Sequence, residues 1–213
     1  MKNWTLLLDG AAAPAEVGLL RDGSFLLHRC DGSAPVGALF AGVEAVLEQA
    51  SCRFDAVAGF LVCRGPGNRT GLRLCKMLVD GTNAILPSRP VISYDALDLA
   101  CDVLSRKGGP QQRFSVAVAV AKRRIALRQA GNETHIWTDS TAGQSMAHGP
   151  TFFLPSPFPL PPWGQPFEAD GEERNFFWQK ILREGMAQKS FHPTIAPVEF
   201  SQNRQLSPLP SAC

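Results

Sequence analysis

The stretch FLVCRGPGNRTGLRLCKMLVDG, Phe60 to Gly81, decides how this chain is read. An apolar run breaks at RGPGNRTG and resumes with a helix-like pattern. Strand, glycine-rich turn and helix is how many phosphate sites are built, because free backbone N–H groups at a helix N-terminus attract anions. Spacing tests the idea. A P-loop needs GxxxxGK followed by Ser or Thr, but five residues after Gly65 stands Thr70, and five after Gly67 stands Leu72. A dinucleotide GxGxxG that starts at Gly65 needs a glycine where Thr70 stands, and Gly71 comes one place late. An acyl-CoA loop of the R-x-x-G-x-G/A type matches Arg64 and Gly67, then meets Arg69 where a small residue is required. Each motif fails where backbone must approach ligand closely.

The turn keeps definite properties. Gly65 and Gly67 bracket Pro66, whose fixed φ gives a tight reversal. Asn68 or Thr70 can cap the helix, and Gly71 and Arg73 lie in its first turn. Two readings follow: a structural strand-to-helix corner, or a weak anion site formed by Gly65, Gly67, Asn68, Thr70, Gly71 and Arg73.

Working outward, WTLLLDG reads as a strand ending at Asp9, and Glu16–Leu20 and Ser24–Arg29 as two more, joined by the hairpin signal Arg21-Asp22-Gly23. Val36, Leu39, Phe40, Val43, Val46, Leu47 and Ala50 recur at helical spacing, with Ser33 as cap and Pro35 in the first turn. Asp55–Cys63 is the continuous apolar run of a buried central strand. A helix from about Thr70 to Ile85, a strand at Pro90–Ser93 and a helix at Tyr94–Leu104 follow. KGGPQQ, Lys107–Gln112, breaks the composition and marks a lobe boundary. Beyond it, RFSVAVAVA and RRIALRQA form a second hairpin and Glu133–Thr138 adds a strand. Residues 150–166, saturated with proline, read as an extended loop that packs Phe and Trp onto the core rather than as a central strand, with a polyproline docking segment as the alternative. A helix over Glu172–Met186 precedes a loose tail.

The bulk numbers are those of a globular protein. Of 213 residues 45% are hydrophobic and 19% charged, and the formal net charge is +2. Direct nucleic-acid binders usually show a basic stripe, and no run of Lys and Arg here is longer than Lys122-Arg123-Arg124. None of the six cysteines is spaced as CxxC, and Cys63 reads as a buried strand residue rather than a nucleophile. The four histidines include no pair four apart, so no helical metal face is available. The N-terminus meets Asp9 too early for a signal peptide, and no apolar run reaches bilayer length. A cytoplasmic protein with reduced thiols is expected, with Asp9 a strand-end residue and no membrane association.

The order β-β-β-α-β-α-β-α, with GPGNRTGLR opening the second helix, resembles the TsaB (YeaZ) family, whose usual sequence is GPGSFTGLR. Gly65, Pro66, Gly67, Thr70, Gly71, Leu72 and Arg73 match. LLLDGAA stands where that family has a strand ending IDTS, Pro90–Ala100 matches its P-x-x-x-x-S-L-x-x-L-A region, VAKRRIALRQA takes the place of its DARR-x-EVY hairpin, and Ala196–Phe200 echoes its terminal P-x-Y-L-R. The hydroxyls of IDTS and the acidic start of DARR are missing, which makes this a divergent relative.

The resemblance implies an α/β protein of the actin-like and Hsp70-like ATPase (ribonuclease H-like) fold. It has two lobes, each a mixed sheet flanked by helices, the second reduced: residues 1–106, then 107–200, with 201–213 as tail. It implies a non-catalytic partner of TsaD, the enzyme that transfers a threonylcarbamoyl group to tRNA adenosine. A TsaE-type ATPase can join, self-association is an alternative use of the same helices, and tRNA is met only indirectly. No cofactor or metal is expected. DGAAAP offers one carboxylate, Asp9, where an ATPase would need hydroxyls and more acids. The first two helices carry more apolar residues than one core stripe needs. Val36, Leu39, Phe40, Val43, Leu72, Leu74, Cys75 and Leu78 are therefore expected at the partner interface. The rival reading is a small-molecule kinase or acyltransferase that uses the Gly65–Gly71 turn as its anion site.

Overall fold

The computed structural model describes residues 4–21, 24–30, 35–108 and 113–187. Three antiparallel strands open the chain: β1 (Trp4–Asp9), β2 (Ala15–Arg21) and β3 (Ser24–Cys30). The pair Arg21↔Ser24 ends the β2–β3 ladder on either side of the Asp-Gly signal. That turn's own conformation, the Ser33 cap, the 109–112 break, the tail and the Ala196–Phe200 echo lie outside the described residues. Helix α1 (Pro35–Gln49), β4 (Val57–Cys63), α2 (Arg69–Ile85), β5 (Val91–Tyr94) and α3 (Ala96–Gly108) follow. The first sheet has the order β3-β2-β1-β4-β5, with β4 parallel to both β1 and β5.

The second half repeats the layout in shorter pieces. It comprises β6 (Ser115–Ala121), β7 (Arg124–Gln129), β8 (Ile136–Asp139), α4 (Ser140–Met146), β9 (Thr151–Phe153), β10 (Gln165–Pro166) and α5 (Gly171–Ala187). Its sheet runs β10-β9-β6-β7-β8, again mixed.

Period-2 alternation sorts the side chains into three apolar layers. Leu6, Leu8, Val17, Leu19, Phe60 and Val62 point to the outer side of the first sheet, where α1 and α2 cover them. Leu7, Leu20, Leu61 and Cys63 point inward and meet α3, α5 and the inner side of the second sheet, Val116, Val118 and Ala126. Ala117, Ala119, Ile125 and Leu127 form the outer layer of the second sheet. No helix among the described residues is long and apolar enough to cross a membrane.

Three expectations need correction. Tyr94 closes β5 instead of opening a helix, because Asp95 caps α3 with Oδ1 accepting from the N–H groups of Leu97 (2.8 Å) and Asp98 (3.4 Å). The proline-rich stretch does contain an interior strand. The proline-free Thr151–Phe153 lies between β6 and β10, since prolines on either side leave its ladder groups intact. Helix α4 was not expected; Asp139 caps it through Thr141 N–H at 2.8 Å. The rest of the stretch is a strap over the outer layer. Ser156 Oγ donates to Ala119 O (2.7 Å), Trp163 stands edge-on to Phe153 with centroids 5.1 Å apart, and its Nε1 donates to Ser140 O (3.1 Å). Phe and Trp thus pack onto the core as the sequence suggested.

Candidate functional site

The glycine turn lies where β4 ends and α2 begins, facing the loop that follows β1. Asn68 is the N-cap of α2, and its Oδ1 accepts from Thr70 N–H at 3.2 Å. Asn68 N–H donates to Ala11 O at 2.7 Å. A Cβ on Gly67 would stand 2.3 Å from Ala11 O, and one on Gly71 would stand 2.3 Å from Gly10 O. The contact is reciprocal, since a Cβ on Gly10 would meet the Gly71 carbonyl carbon at 2.3 Å. So the backbone of residues 10 and 11 packs directly against the backbone of residues 67 and 71. Close approach is why these positions are glycine, and what approaches is the protein's own chain. Gly65 has a φ of +98°, which only glycine adopts readily. Thr70 and Arg73 are exposed on the outer side of the corner.

Behind the corner runs a cleft of about 570 Å³ between the two halves, lined by Asp9, Glu16, Arg29, Lys107, Asp170, Glu173 and Arg174 among others. Most of these charges are already engaged. Asp9, nearly buried at the end of β1, accepts from Ala11 N–H (2.9 Å) and from the Tyr94 hydroxyl (2.6 Å). It is the turn residue the sequence suggested. Glu16 is ion-paired with Arg174; burial outweighs that attraction and raises its pKa above the ordinary carboxylate value. Asp170 and Glu173 form a reciprocal capping box at the start of α5 (2.8 and 3.0 Å), and Glu173 also holds Lys107 at 2.8 Å. Cys63 is fully buried, and desolvation pushes its thiol well above the usual value, so it stays protonated and unreactive.

The surface of α1 and α2 differs from the expected one. Leu39, Val43, Cys75 and Leu78 are core residues facing the first sheet, and Leu72 and Leu74 are half-buried. Val36 and Phe40 are exposed, joined by two residues not anticipated, Met77 (67% exposed) and Ile85 (84%). The apolar residues of α2 wrap two faces: the sheet takes the face of residues 71, 75, 78 and 79, and the other stays in solvent. Leu39 and Leu74 line a small groove of about 310 Å³ with Pro35 and Asn68.

This arrangement of two mixed sheets has been seen before. The fold is YeaZ-like. An uncharacterized Pseudomonas aeruginosa protein with similarity to peptidase YeaZ superposes with a TM-score of 0.62 at 19% identity, over 90% of this chain and 95% of that one. YeaZ from Pseudomonas aeruginosa gives a TM-score of 0.58 at 19% identity, over 86% and 94%. No protein-family model matches the sequence, and no curated protein does. The chain therefore has the actin-like fold of two mixed sheets flanked by helices, reached with a sequence far from its YeaZ-like neighbours.

The YeaZ-like frame also shows what sequence reasoning missed. Gly10 and Tyr94 matter to the corner as much as the glycine turn does. Gly10 carried a local signal, a glycine directly after a buried strand, but its partner is the distant Gly71.

Proposed function

We propose that this protein is a non-catalytic scaffold of the TsaB kind. Through α1 and α2 it pairs with a TsaD-type threonylcarbamoyltransferase and supports threonylcarbamoyladenosine modification of tRNA, with a TsaE-type ATPase as a further partner. The observation that carries the reading is the closed corner: Gly10 lies against Gly71 and Ala11 against Gly67, so the glycines of the turn take up the protein's own backbone. The cleft behind it is consistent, because most of its charges are tied up in caps and ion pairs. The exposed Val36, Phe40, Met77 and Ile85 supply apolar surface for a helix–helix interface.

Co-expression with the TsaD-type protein of the same organism, followed by size-exclusion with light scattering, tests the reading. A one-to-one complex is expected, lost in Phe40→Asp and Met77→Asp variants that remain folded. If both variants pair normally, the assigned surface is wrong. Saturable binding of ATP or acetyl-CoA by the isolated protein in calorimetry would instead favour a kinase or acyltransferase.

A further inference from the structure

The β7–β8 edge of the second sheet gathers cations and an exposed aromatic. The register pairs Ala126 with Trp137 and Arg124 with Asp139, so Arg124, Ala126 and Trp137 share one face. Ala126 is buried between the sheets, which makes this the side on which α3 lies over β6. At the outer edge Trp137 is 51% exposed. Arg124 is its diagonal neighbour on that face, and Lys122 and Arg123 complete the β6–β7 turn. All three cations are exposed, and none forms an ion pair among the described residues. The track continues toward the glycine corner: His135 Nε2 lies 3.4 Å from Asp95 Oδ1, and Arg64, its side chain 59% exposed, lies 4.0 Å from the same carboxylate.

The carboxylates nearby are mostly committed elsewhere. Asp95 is buried and caps α3, Asp98 is paired with Arg128, and Asp139 caps α4. Glu133 is exposed in the loop before β8. Besides the exposed Glu133 and Asp139, what faces solvent is one indole beside three unpaired cations. A flat aromatic surface next to phosphate-binding cations suits a nucleobase joined to its backbone. It suits an acidic peptide less well, because a carboxylate has no ring to stack. It also suits an unpaired strand better than a duplex, where base faces are hidden in the stack.

We propose that the β7–β8 edge binds an unpaired nucleic-acid strand, one base stacking on Trp137 and neighbouring phosphates held by Lys122, Arg123 and Arg124. This departs from the expectation that RNA is met only through a partner. It goes beyond the scaffold reading and does not rest on it, since the surface is separate from α1 and α2.

The test is fluorescence anisotropy of the whole protein, without any partner, against a fluorescein-labelled RNA hairpin with an unpaired loop. Binding should weaken with salt. Trp137→Ala should weaken it roughly tenfold and Trp137→Phe should restore much of it, because stacking needs only a π-face. Replacing Lys122, Arg123 and Arg124 by serine should flatten the log–log salt slope by about 2, since each phosphate no longer neutralised removes about 0.7 from it. The Trp137→Ala and triple-serine variants should still pair with the TsaD-type protein, so loss of RNA binding and failure of the scaffold reading are read separately. The proposal is overturned if no binding occurs at low salt, if the variants bind like the parent, or if polyglutamate displaces the RNA as effectively as unlabelled RNA does.

Discussion

The two sheets are sealed on their outer sides by different means. The first is covered by two long helices, and α2 is seated by backbone lying on backbone at Gly10 and Gly71. The second is covered by a seven-residue helix and a proline-rich strap, held by single aromatic side chains and a few side-chain hydrogen bonds. The first arrangement has no slack, because nothing where the two chains touch can swing aside. The second is built from separable parts, each with its own modest contribution. The difference should therefore show as abrupt failure on one side and graded loss on the other.

Gly71→Ala is expected to have the largest effect. The added methyl meets a backbone oxygen that cannot move without shifting β1, at a cost of about 3 kcal/mol or more. Urea titration would measure it, and a tolerant Gly71→Ala would break the contrast. Trp163→Ala should cost about 2 kcal/mol, since a half-buried ring and one hydrogen bond are removed while the rest of the strap stays in place. A loss equal to that of Gly71→Ala would mean the strap, too, is all-or-none.

Tyr94, in the layer shared by both sheets, gives the next effect. Burial first, then the nearby Asp9 charge, raises its pKa well above the ordinary value. The folded phenol keeps its proton where the unfolded one ionises. Its contribution is thus intact below about pH 10 and falls above it by up to about 1.4 kcal/mol per pH unit. Tyr94→Phe removes that component. As Tyr94 is the sole tyrosine, phenolate absorbance should appear together with unfolding and not before. Smallest of all is Phe40→Asp, which should leave stability within about 0.5 kcal/mol, because the ring already faces water.

The strands and long helices of the first half were legible because their burial is patterned locally: alternation in β1, a helical stripe in α1, a continuous apolar run in β4. Tyr94 was misplaced because the helical pattern ran through the Asp95 cap, and its bond to Asp9, 85 positions away, is recorded by no local period. Residues Thr151–Phe153 were hidden by the prolines on either side, and α4 by the polar composition of STAGQSM, where only the Asp139 cap gave a signal. At the corner, the sequence fails the spacing of three phosphate-binding loops. It could not say why glycines remain, since the answer is another stretch of backbone. The expected interface merged two faces of α2: Cys75 and Leu78 went to the sheet, while Met77 and Ile85 stayed outside.

Helix α5 comes last among the described elements, yet it completes the first sheet. Phe177, Trp178 and Leu182 pack with Leu7, Leu61 and Tyr94; Arg174 reaches back to Glu16; Arg106 on α3 holds the Glu173 carbonyl at 2.8 Å. A ribosome delivers the amino end first. The opening five-stranded sheet therefore emerges with part of its inner side bare, and it stays so until α5 has cleared the exit tunnel. A nascent chain stalled before Gly171 would display an unfilled aromatic socket, the kind of surface on which holding chaperones act. The inner side of the first sheet is complete only once α5 is in place.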